Sequence, residues 1–305
     1  MTTSPVPDAA RGPVIHIGDI TVERVDELLM PTSVRWMLAD ADREVAGRCS
    51  EWLQPYFQNE AGHLLQSTHT FVIRTPSALI LVDTAVGNDK DRSGGVPQFH
   101  MLNVPYLERM AALGIKPEDV DIVLCTHMHV DHCGWNTRLE GDRWVPTFPR
   151  ARHLFARPEY EYWNTVAPEQ PATERLLADS IRPVADAGLV DIVAADHVVT
   201  SEVRLVPMFG HTPGSVCVEI ESQGVRAVIT GDVMHSPIQC AFPDLSGPFD
   251  RDKPAAVAGR HAFLDRYSDT GILVLGSHFA APSVGRITKD GAAWRYDVAL
   301  DVVEG

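Results

Sequence analysis

Asp121-Ile122-Val123-Leu124-Cys125 runs directly into Thr126-His127-Met128-His129-Val130-Asp131-His132. The apolar run has the length of a buried strand, and the stretch after it does not read as core. Three imidazoles and a carboxylate stand within six residues, more polar groups than an interior tolerates unpaired. On a loop leaving a strand end, alternate side chains can turn toward a common centre. Imidazole with carboxylate suits a divalent ion: zinc is expected, and manganese, iron and cobalt are compatible.

Three more candidates follow other apolar runs. His211 lies in Gly210-His211-Thr212-Pro213-Gly214, after a strand expected over 197–208. Asp232 follows Thr230-Gly231, after a strand expected over 226–230, and His278 follows Gly276-Ser277, after one over 272–275. Each stands near a glycine, where the backbone can come close to a ligand. His235, three residues beyond Asp232, reads as a substrate hydrogen-bond donor or proton shuttle. Cys133 reads as a small packing residue, and Trp135 puts bulk next to the histidine loop.

Outward from this centre the pattern is α/β. Strands are expected at 14–17, 20–25, 68–74, 78–83, 152–156, 215–221, 284–288 and 294–298, with Thr75-Pro76-Ser77 turning a hairpin. Helices are expected at 105–113, 159–163, 173–187 and 254–267. Strand clusters separated by helices argue for one layered unit, residues 14–305, after a flexible lead-in at 1–13. Within it, 31–66 reads as a lid or dimer-contact insertion, because Trp36, Trp52, Tyr56 and Phe57 stand there among charged residues.

Composition narrows the function. Lys and Arg number 26 against 41 Asp and Glu, for a formal charge of −15. That balance disfavours nucleic acid and anionic membranes as partners, since both are bound mainly through Lys and Arg. Five cysteines without CxxC spacing argue against a disulfide framework or a thiolate zinc site. A cytoplasmic protein with a small-molecule substrate is expected, and a homodimer stays open.

The set HxHxDH, GHTPGS, GD and a late His resembles the metallo-β-lactamase superfamily, over roughly residues 14–300. Within it the chain is most similar to the dinuclear hydrolases that include acyl-homoserine lactonases and methyl-parathion-hydrolase-like enzymes. Leu81-Val82-Asp83-Thr84-Ala85 resembles the superfamily's Asp-Thr-Gly turn, with Ala85 for the glycine. The resemblance implies an α/β fold, a four-layer αββα sandwich, with Asp83 orienting the metal loop. It implies two divalent ions: one on His127, His129 and His211, the other on Asp131, His132 and His278, bridged by Asp232. The implied activity is a metal-dependent hydrolase of the lactonase or esterase kind. It would cleave a small ester, a lactone or aryl ester, through a metal-bridging hydroxide. Asp131 and His235 are the candidate catalytic side chains. An organophosphate triester is the alternative substrate, and an iron-dependent oxidoreductase the alternative of another class.

Overall fold

The computed structural model describes residues 14–304 other than positions 40 and 42, so the expected lead-in at 1–13 lies outside the described residues. Two sheets carry the fold. The first has eight strands in the spatial order 303–304, 14–17, 20–32, 64–74, 79–82, 122–124, 152–156, 190–193. The second has six, from Val203–Pro207 through Val216–Ser222, Val225–Ile229, Leu273–Leu275 and Val284–Asp290 to Ala293–Val298.

Side-chain alternation explains why the sheets stack. In Val216–Ser222, Val216, Val218 and Ile220 face the first sheet, packing with Ile15, Val22, Phe71, Ile80 and Leu124. Cys217 points the other way, toward Phe263 and Leu264 of the helix Lys253–Tyr267. On the first sheet, Ile80 and Val82 face the second sheet, whereas Leu81 packs with Tyr106 and Met110 of the helix at 106–112. Strands buried on both faces read as continuous apolar runs. The outcome is helix, sheet, sheet, helix: the expected αββα sandwich.

Several elements depart from the sequence expectation. Ile20–Thr32 and Leu64–Arg74 are longer than expected and stay paired to Thr32↔Leu64. The connection between them, residues 33–63, carries short helices at 34–37, 43–47 and 50–53. The strand expected over 197–208 is only Val203–Pro207. A hairpin of Thr137–Glu140 with Arg143–Pro146, and an edge strand Val190–Val193, were not anticipated. Among the described residues no helix is long and apolar enough to cross a membrane. The five cysteines are buried free thiols.

Two parallel pairs place the site. Leu79–Val82 runs parallel to Ile122–Leu124, and Val225–Ile229 runs parallel to Leu273–Leu275. All four strands end at one edge of the sandwich, and Asp83, the histidine loop, Asp232 and His278 follow their last residues. The Ser67 N–H donates to His278 O at 3.0 Å, tying the two sheets together there.

Candidate metal centre

The seven residues converge. His127, His129, His211 and Asp232 form one group of donor atoms and Asp131, His132 and His278 another, with the atoms of each group within 4.8 Å of one another. His129 Nδ1 lies 3.0 Å from both His127 Nε2 and His211 Nε2. In the second group, His132 Nε2 is 3.2 Å from His278 Nε2, and Asp131 reaches each of these at 3.8 Å. Asp232 belongs to both: Oδ2 is 3.2 Å from His211 Nε2 and from His278 Nε2, and Oδ1 is 3.4 Å from His132 Nε2.

The outer nitrogens fix the tautomers. His132 Nδ1 is 2.9 Å from Asp83 Oδ2, His211 Nδ1 is 2.9 Å from Asp250 Oδ1, and His278 Nδ1 is 3.0 Å from Ser67 O. Each of these imidazoles donates its proton outward, which leaves the inward Nε2 as a lone pair. Lone pairs 3.2 Å apart repel unless a proton or a metal ion lies between them. Donors around a zinc ion at ~2.0–2.1 Å stand about 3.3 Å apart when tetrahedral, which matches the inward separations. The donor set therefore fits two divalent cations.

The electrostatics point the same way. Burial opposes charge on Asp232, but His132, His278, His127 and His235 hold its carboxyl well below the usual range. Burial also opposes a proton on His132, yet Asp232, Asp83 and Asp131 raise it well above the ordinary value. His211 is pushed up to about 9, with Asp232 and Asp250 outweighing burial. Burial and neighbouring imidazoles keep His127 and His129 neutral, the form that binds a metal. The cluster calls for positive charge.

Asp83 sits beneath the loop in the role expected of it. Its Oδ1 accepts the Thr126 N–H at 2.7 Å and its Oδ2 the Thr126 hydroxyl at 2.9 Å, besides the contact to His132. Gly134 closes the loop, since a Cβ there would stand 1.8 Å from Val86 O. Cys133 is buried, and its thiol donates to His129 O at 3.1 Å. Trp135 differs from expectation. It turns away from the cavity, stacks on Tyr106 at 4.8 Å and donates to the buried Glu27 at 2.7 Å.

Two supporting acids gave no signal in the sequence. Asp250 holds His211, as above. Glu159, fully buried, accepts from the Met128 N–H at 2.8 Å, the Trp163 indole at 2.6 Å, the Thr212 hydroxyl at 2.7 Å and the Gly214 N–H at 2.9 Å. It thus ties the loop of His127 and His129 to the loop of His211. Both acids come from remote segments, so only the fold reveals them.

A cavity of about 230 Å³ opens over the cluster, near the small end of ligand pockets. His129, Asp131, His211, Asp232, His235 and His278 line its floor, and Met30, Trp36, Met37, Val96, Phe99 and Leu176 are among its apolar walls. His235 Nε2 is 3.3 Å from Asp232 Oδ2, and its Nδ1 is buried with no hydrogen-bond partner among the described residues. Of the aromatic segment 36–57, Trp36 reaches the cavity and stacks edge-on with Phe249 at 5.2 Å, whereas Phe57 lies in the core against Phe279 and Tyr296.

Comparison with known proteins bears on the family and the fold. The family model described as "Metallo-beta-lactamase superfamily" matches residues 65–291. An N-acyl homoserine lactonase of Bacillus cereus is 28% identical over 170 residues, 51% of this chain and 59% of that protein. The chain spans between 17% and 59% of the length of the curated relatives it matches. Among solved structures, the hydrolase AbOPH "in beta lactamase superfamily" superposes with a TM-score of 0.79 at 21% identity, covering 96% of this chain and 99% of that one. AidC, described as a dizinc quorum-quenching lactonase, gives 0.77 at 18%, with the same coverages of 96% and 99%.

Proposed function

The chain belongs to the metallo-β-lactamase superfamily, and from that premise we propose that it is a dinuclear metal-dependent hydrolase of small esters, lactones or aryl esters. One observation carries the reading: the Asp232 carboxylate faces both donor groups at once, 3.2 Å from His211 and from His278. The lactonase relatives, and lactonases among the structural neighbours, support carbon esters as the substrate class.

Two divalent ions at the cluster would activate a water and polarise the ester carbonyl. The protein's own groups do the rest. His127, His129, Asp131, His132, His211, Asp232 and His278 would hold the ions, and Asp83, Asp250 and the Ser67 carbonyl keep the imidazoles turned inward. The apolar walls exclude bulk water and seat the acyl or aryl group. In hydrolysis the water oxygen bonds to the carbonyl carbon and the ester C–O bond breaks. One proton then passes to the departing alkoxide. Asp131, half-buried at the cavity floor, carries that proton. His235 lines the cavity floor with its Nε2–H turned to Asp232 Oδ2 at 3.3 Å, so its Nδ1 is a lone pair that can take up a proton during turnover. Trp36 and Met37, in the connection 33–63, act as the lid.

The test is a panel on metal-quantified protein: an N-acyl homoserine lactone, an aryl acetate, a phosphotriester and a β-lactam. Turnover of the carbon esters at about two ions per chain is the expected result. Turnover confined to the phosphotriester or the β-lactam, or inert esters at full loading, would overturn it.

A further inference from the structure

Among the described residues lining the cavity, Arg251 is the one Lys or Arg side chain. Its main chain is tied to the cluster: the Arg251 N–H donates to His211 O at 3.0 Å, and the preceding Asp250 holds His211 Nδ1. The guanidinium carbon of this exposed side chain lies 4.9 Å from the centre of the Trp163 ring, a cation–π contact that favours this direction without neutralising the charge. Trp163 is itself anchored, with its indole on Glu159 at 2.6 Å and its ring edge-on to His129 at 5.4 Å.

The nearby acids are committed elsewhere. Asp250 faces His211 and Arg260, and Asp252 caps the helix Lys253–Tyr267 by accepting the Ala255 N–H at 3.0 Å. Among the described residues Arg251 has no ion-pair partner. In a chain of formal charge −15, an unpaired cation held in direction over an aromatic ring, at the rim of an apolar cavity, is set for an anion that arrives with the ligand. A guanidinium binds a carboxylate through charge-assisted hydrogen bonds about twice as strong as neutral ones.

We propose that Arg251 recognises a carboxylate at the far end of the substrate, so that the preferred ester carries an acid. The scissile carbonyl would lie at the His–Asp cluster, a short apolar chain would follow the walls, and the carboxylate would end on Arg251. This rests on the ester-hydrolase reading above.

A matched pair of substrates tests it: the mono-4-nitrophenyl ester of adipic acid against 4-nitrophenyl hexanoate. Wild type should favour the acid ester in kcat/KM by about tenfold, chiefly through KM. R251Q should erase that ratio and R251K should retain most of it, with metal content of all three checked. An equal ratio in wild type and R251Q would overturn the proposal. A binding measurement separates it from the catalytic reading. In calorimetry on metal-loaded protein, adipate should bind about tenfold more tightly than hexanoate in wild type, and equally in R251Q. If both nitrophenyl esters are inert yet this binding difference holds, the hydrolase reading falls and the Arg251 site stands. If the esters turn over and the binding difference is missing, the reverse follows.

Discussion

Asp232 is the residue on which the proposed centre turns, because removing it takes a donor from both groups at once. Asp232→Ala should lower the metal content from about two ions to one or fewer and bring hydrolysis below detection; elemental analysis and ester turnover check both. A variant that keeps two ions would refute the bridging role. His235 is different in kind. It touches Asp232 and the cavity, and it stands outside both donor groups. His235→Ala should therefore cost about 10²-fold in kcat, the scale of one lost acid–base group, while both ions stay bound. Loss of an ion would make it a ligand instead. The loop donors were legible in the sequence because HxHxDH is local, and Asp232 and His235 because they follow an apolar run and a glycine. Asp250 was not, since nothing near Gly247-Pro248-Phe249 announces that its carboxylate will meet an imidazole 39 positions away.

At the scale of elements, the loops act as a unit because Glu159 joins them. Its carboxylate accepts four hydrogen bonds from two metal loops and its own helix. A carboxamide turns an N–H toward donors, so Glu159→Gln should cost about 3 kcal/mol in urea unfolding and weaken metal binding as the loops part. An unchanged midpoint would show that the tie carries little. The connection 33–63 bears on specificity. Trp36→Ala should shift relative kcat/KM among esters of different chain length by about tenfold and leave metal content alone. A uniform loss across the series would place Trp36 in packing. The hairpin at 137–146 shows where reading elements from sequence fell short. Gly141-Asp142 between Leu139 and Trp144 is a hairpin turn signal, yet its four-residue strands are too short to show alternation.

For the whole molecule, stability against acid follows from what the sandwich buries. His153 lies inside the first sheet, and burial pushes it down to about 4. In the unfolded chain it titrates near ~6.5, so between these values the unfolded state binds the extra proton. Its contribution is whole above pH 6.5 and falls as the pH drops through the window to about 4, by about 3 kcal/mol at most. His153→Leu should flatten that part of the stability–pH curve in denaturant titrations. An unchanged slope would mean that His153 is solvated in the fold. The sequence by itself determined the layered α/β class and the buried strands, and it singled out the seven candidate His and Asp donors, because strand runs, a short His-rich motif and glycine-flanked strand ends are local patterns. Only the tertiary structure decided which loops meet, the supporting roles of Asp250, Glu159 and the Ser67 carbonyl, the outward turn of Trp135 and the unpaired Arg251 at the rim. Those contacts join segments tens to hundreds of residues apart. They exist only once two parallel strand pairs end at the same edge of the sandwich.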